Sequence, residues 1–130
     1  MARSIVKTER APASPFYSQA VKAAGLVIVA GPGPFDLASG NIVGETIQEQ
    51  TRQCLTHVSA ILEAAGSSMD KVVSATFILR DPGDFAGMNE EWARWFPTDP
   101  PARQGAKLPL DRPGMRISIA VVALAAQPEV

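Results

Sequence analysis

The spacing of apolar and polar positions changes several times along the chain, and each change marks an element. From Thr46 onward, Ile47, Cys54, Leu55, Val58, Ile61, Leu62 and Ala65 recur at steps of three and four, which predicts a helix with one buried face. Thr46-Ile47-Gln48-Glu49 reads as its capping box, with the Thr hydroxyl on the N3 amide and Glu49 reaching back. Gly66 stands at the position of a helix C′ residue. Val72 to Leu79 is rich in β-branched residues and predicts a central strand. Asp81-Pro82 then offers an N-cap and N1 pair for a second helix running to about Phe96. Trp92, Trp95 and Phe96 bury one face of it, and Pro97 to Pro101 ends it.

The remaining segments read as strands. Ser4 to Lys7 is a short one, followed by a proline-punctuated loop from Ala11 to Tyr17. Gln19 to Ala24 and Leu26 to Ala30 are joined by a tight turn at Gly25, and Gly31-Pro32-Gly33-Pro34 must break the second of them. Ala102 to Leu108, the turn Asp111-Arg112-Pro113-Gly114, and a last strand from Met115 to Ala126 complete the order β-β-β-α-β-α-β-β. One domain over residues 1–130 is expected, an α+β sandwich with two helices on one face of a mixed sheet. The nearly continuous apolar run of the last strand predicts burial on both faces, or burial of one face against another subunit.

Composition narrows the function. Hydrophobic residues make up 46% of the chain and charged ones 19%, which excludes intrinsic disorder. The net charge of −1 and scattered basic residues argue against nucleic acid or an anionic membrane as partner. One Cys and one His cannot build a Cys/His zinc site. No metal and no cofactor are expected. The apolar runs are too short to span a bilayer and the first residues lack a secretory signal pattern, which predicts a cytoplasmic protein. Cys54 lies on the helical stripe and reads as a buried structural thiol; His57, beside the stripe, reads as a surface or helix-packing residue. Glu90 and Glu91 read as surface charges.

No phosphate-binding glycine loop and no Ser-His-Asp arrangement is present. Four short segments fall at element ends instead: the loop with Tyr17, the strand end Ala30-Gly31, Met88-Asn89-Glu90, and Pro101-Ala102-Arg103. A guanidinium such as that of Arg103 matches a carboxylate bidentately and stays charged when partly buried.

These segments, together with Tyr17-Ser18-Gln19-Ala20, Gly31-Pro32-Gly33-Pro34, Ser39-Gly40, Gln50-Thr51, Leu62-Glu63-Ala64-Ala65-Gly66 and Asp84-Phe85-Ala86-Gly87-Met88-Asn89-Glu90, run nearly the whole length. In their order and spacing the chain resembles the reactive intermediate deaminase (Rid, YjgF-type) family, also labelled endoribonuclease L-PSP-like. The resemblance implies a chorismate-mutase-like fold and a homotrimer with sites between subunits. It also implies hydrolysis of small reactive enamines and imines to 2-keto acids and ammonia. On that pattern Arg103 is the candidate catalytic residue, holding the substrate carboxylate, and Tyr17 is the pocket tyrosine. Gly31, Asn89 and Gln104 join them as candidate substrate-binding residues.

Three departures from the family pattern bear on catalysis. Ala30-Gly31-Pro32 replaces a Ser-Gly-Gln segment, which removes a hydroxyl and an amide donor. Gln104-Gly105 replaces a Ser followed by Cys or another small residue. Ala120 stands where the last strand usually carries the glutamate that orients water. Gln104 could position water instead, and Glu91 or Asp111 could reach the cleft. Two readings follow: a divergent imine deaminase, or a non-hydrolytic protein that binds a small carboxylate metabolite. The ribonuclease label finds no support in a near-neutral chain with one His.

Overall fold

The computed structural model describes residues 2–126. Six strands, β1 (Ser4–Val6), β2 (Ala20–Ala23), β3 (Leu26–Val29), β4 (Val72–Leu79), β5 (Ala102–Lys107) and β6 (Ile117–Leu124), form one sheet in the order β1-β2-β3-β6-β4-β5. All neighbours are antiparallel except β4 and β5. That parallel pair requires a crossover, and helix α2 (Phe85–Trp95) provides it. Helix α1 (Ile47–Ala64) links β3 to β4. The fold is the expected α+β arrangement with both helices on one sheet face.

Local chemistry sets the element boundaries. The Thr46 hydroxyl accepts the Glu49 amide at 3.1 Å, as the capping box requires. Its second half differs, because the Glu49 carboxylate accepts the Thr46 hydroxyl at 2.9 Å. At the other end, Ser67 N–H reaches Leu62 O and Gly66 N–H reaches Glu63 O, with Gly66 at φ +78°. This is a Schellman termination, whose left-handed residue glycine adopts without a Cβ clash. Asp81 caps a 3-10 turn at Pro82–Asp84, its carboxylate accepting the Gly83 amide at 2.8 Å, and α2 proper begins one turn later. Ala24 and Gly25 both take positive φ in the two-residue turn between β2 and β3, the geometry that suits the twist of a hairpin.

Alternation along β6 sorts the core from the open face. Ile117, Ile119, Val121 and Ala123 are buried beneath α1, alongside Cys54, Leu55, Val58 and Ile61. Ser118, Ala120, Val122 and Leu124 point the other way and remain accessible. Ile5, Val21, Ile28 and Val122 form one cross-strand row on that second face, and Ile5 and Ile28 are 45% and 48% exposed. The last strand is therefore covered on one face only within a single chain.

Glu91 corrects the surface reading. It is 3% exposed and sits between the helices, where Arg52 donates to it through Nε at 3.2 Å and Nη2 at 3.1 Å and Trp95 Nε1 at 3.0 Å. Burial raises its carboxyl pKa, but these donors and the charges of Arg52 and Arg94 outweigh that and hold it below the usual glutamate value. Buried His57 packs against the loop before α1, its Nε2 2.7 Å from Phe35 O. Burial pushes the Cys54 thiol well above its ordinary range, which leaves it inert.

Candidate functional site

Arg103 lies on β5 opposite Ala75 of β4, on the face that carries the helices. Its guanidinium rests against three rings, with Cζ 5.1 Å from the centroid of Phe77, 5.5 Å from Phe85 and 5.0 Å from Trp92. Phe77 comes from the neighbouring strand. Phe85, Asn89 and Trp92 come from α2 at steps of four and three, one helical face. Arg103 Nη1 donates to Asn89 Oδ1 at 2.7 Å. Stacking on ring faces is attractive to a cation, and the amide fixes the rotation of the fork.

The electrostatics of this arrangement are unbalanced. Among the described residues no carboxylate lies within 4.0 Å of Arg103. Its one hydrogen-bonding side chain is a neutral amide. Desolvation by the rings pulls the guanidinium pKa down from its ordinary value, yet arginine remains protonated at neutral pH. A positive charge is thus held on an apolar bed with part of its fork unspent, a setting suited to a carboxylate. Arg103 lines a groove of about 350 Å³ with Asn89, Trp92, Phe96 and Pro101. A second groove, of about 320 Å³, is lined by Phe77, Leu79, Phe85 and Gly105 and meets the site through the two phenylalanine rings.

The other candidate residues fall in two further places. Gln104, next along β5, faces the open side of the sheet, in a cross-strand row with Thr76 and Ala120. Gly31 adjoins that row: a Cβ built on it would lie 3.6 Å from the Ala120 Cβ. Pro32 O accepts the Ile119 amide at 3.5 Å, which keeps this segment against β6. Tyr17 is half exposed near β1, at the opposite end of the sheet, and lines grooves with Arg3, Ile5 and Lys7 or with Phe35 and Arg112. A single chain therefore joins Arg103 with Asn89 and Gly31 with Ala120, and leaves Tyr17 apart. Glu91 is committed to Arg52, and Asp111 lines neither groove beside Arg103. No cluster of three or more His, Cys, Asp or Glu side chains suited to a metal is found among the described residues.

The aromatic bed is the part that sequence reasoning missed. Its signal was present in Phe85, Asn89 and Trp92 at i, i+4 and i+7, but only the strand register brings Arg103 onto that face.

Comparison with known proteins places this geometry. The model of the endoribonuclease L-PSP family matches residues 8–125. The chain belongs to that family. Among its relatives, a RutC family protein of Pyrococcus horikoshii is 44% identical over 84% of this chain and 90% of its own. Reactive Intermediate Deaminase A, chloroplastic, of Arabidopsis thaliana is 41% identical over 84% of this chain and 60% of its own length. A 2-iminobutanoate/2-iminopropanoate deaminase of Capra hircus is 35% identical over 95% and 91%. The crystal structure of yeast Mmf1 superposes with a TM-score of 0.90 at 31% identity, covering 96% of this chain and all of that one. This L-PSP family member thus shares its fold with Rid proteins, including one of Yersinia pestis (TM-score 0.89, 32% identity, covering 95% of this chain and 100% of that one).

Proposed function

We propose that the protein hydrolyses a small 2-imino acid, or its enamine tautomer, to the 2-keto acid and ammonia, with the substrate carboxylate held by Arg103. The observation that carries this reading is the unneutralised guanidinium on its aromatic bed, fixed by Asn89. The names of the deaminase relatives support the reaction class. In the step itself, water adds through oxygen to C2 of the iminium, giving a carbinolamine. The C–N bond then breaks, the oxygen keeps its electrons as the new carbonyl, and nitrogen leaves as ammonium with the two protons of water. Arg103 fixes the carboxylate end so that C2 meets water in one orientation.

With Ala120 on β6, no carboxylate stands at that position to deprotonate the water. A general base contributes roughly 10²–10⁴-fold, so turnover below that of deaminases with the glutamate is expected. Gln104 and Thr76, in the row of Ala120, lie on the sheet face opposite to Arg103, so within one chain they do not reach a water at C2 of a substrate held by Arg103.

The complete cleft requires more than one chain. In a cyclic trimer the contact is heterologous, so different edges of neighbouring copies meet. The Tyr17 edge of one copy can then face the Arg103 edge of the next, and the apolar open face gains its cover. No metal, cofactor or nucleic acid enters this reading, and a single buried thiol suits the reducing cytoplasm.

Ala120 also favours a second reading, in which the site binds a carboxylate metabolite without hydrolysing it. The test is acceleration of 2-iminopropanoate breakdown by purified protein, with loss of the effect in Arg103→Ala. Wild-type rates equal to buffer, together with keto-acid binding that needs Arg103, would select the second reading.

A further inference from the structure

Arg103, Gly105 and Lys107 lie along one face of β5, opposite Ala75, Phe77 and Leu79 of β4. A Cβ built on Gly105 would lie 2.1 Å from Phe77 Cε2 and 2.2 Å from its Cζ. Such distances are impossible, so the Phe77 ring occupies the place of a side chain at position 105. Gly105 has no positive φ; the ring, not the backbone, is what demands glycine there. Gly105 and Phe77 are thus a matched pair that turns the strand surface beside Arg103 into an aromatic floor.

That floor continues into a groove of about 320 Å³ walled by Leu79, Pro82 and Phe85, with Lys107 at its rim. Phe77 and Phe85 belong both to the groove and to the bed under the guanidinium. Arg103 does not itself line this groove, but the shared rings join the two, so the C2 substituent of a carboxylate bound on Arg103 can extend along them into an apolar trough. We propose that this trough selects 2-imino acids with a bulky apolar side chain, aryl or branched alkyl, over those with a methyl or ethyl group. The proposal rests on the role given to Arg103 above. The chemistry stays the same: water adds to the C=N bond and ammonia leaves.

One methylene in an apolar pocket is worth about 10–200-fold in specificity. Imino acids released in situ from alanine, phenylalanine and glutamate by amino-acid oxidases provide the test, with keto acid and ammonia as readouts. The phenylalanine-derived imine is expected to exceed the alanine-derived one by at least about tenfold in kcat/KM. Gly105→Ala pushes the Phe77 ring into the trough and should lower that ratio severalfold. Combining it with Phe77→Leu makes room again and should recover part of it, which separates a groove effect from misfolding. A ratio near one, a preference for the glutamate-derived imine through Lys107, or a ratio unmoved by Gly105→Ala overturns the proposal. If no imine is accelerated, the deaminase reading fails first. The trough is then tested by calorimetry, where equal Kd values for phenylpyruvate and pyruvate overturn it and at least tenfold tighter phenylpyruvate sustains it.

Discussion

Arg103 is held by contacts that make different demands on its side chain. The rings require a flat, weakly hydrated cation, while Asn89 requires a donor at one corner of the fork. Lysine meets neither demand well, since its ammonium is a compact point charge. Arg103→Lys is expected to weaken keto-acid binding by about 10–100-fold, the worth of one charge-assisted hydrogen bond, as measured by calorimetry. Asn89→Asp should cost more than Asn89→Ala, because a carboxylate 2.7 Å from Nη1 would neutralise the fork and compete with the ligand. Equal losses in the two variants would show that Arg103 is not the anion anchor. Glu91 bears on stability instead. Its folded pKa is depressed, so its contribution is fully present above the unfolded value of 4.5 and is lost as pH falls through the folded one. Urea midpoints should therefore fall on acidification below about pH 4.5. Glu91→Gln should lower stability at pH 7 by about 1–3 kcal/mol and flatten that acid limb.

Thr46 is the hinge between the long loop after β3 and helix α1, and its hydroxyl satisfies an otherwise orphaned amide. Thr46→Ala should cost about 1 kcal/mol, a drop of roughly 3–5 °C in Tm by calorimetry. An unchanged Tm would mean that tertiary packing alone holds the first turn. Elements of this kind were legible in the sequence because their signals are local: the cap at Thr46, the stop at Gly66, the β-branched run of β4. Asp81-Pro82 was legible too, but its turn is 3-10 and α2 starts only at Phe85, since a cap signal marks where the chain begins to coil and not which ladder follows. The exposure of Glu91 could not be read, because its partner Arg52 is on another helix, 39 residues away. The site divides the same way. Arg103 and Asn89 stand out by residue type, whereas the Phe77–Gly105 exchange exists only through the parallel register of β4 and β5.

The whole molecule exposes a sheet face that a single chain does not cover, and places Tyr17 and Arg103 at opposite ends of the same sheet. The closed ring of three proposed above would resolve both features, since each copy offers one edge to the neighbour on either side. Light scattering should then give three times 13.8 kDa, about 41 kDa. Ile28 supplies the decisive variant. It is 48% exposed in the single chain and lies in the row with Ile5, Val21 and Val122, so glutamate there leaves the core beneath the helices untouched. Outside such cores a surface change usually alters stability by no more than about 0.5 kcal/mol. In a ring, however, the same carboxylate is desolvated against an apolar partner, at a cost of several kcal/mol per unpaired ion. Ile28→Glu should therefore give folded monomers with an ordinary melting transition. Keto-acid binding should fall with the loss of the ring, even though Arg103, Asn89 and the aromatic bed are all intact. A wild-type mass of 13.8 kDa, or a monomeric variant that binds as tightly as wild type, would place the whole site within one chain and leave Tyr17 outside it.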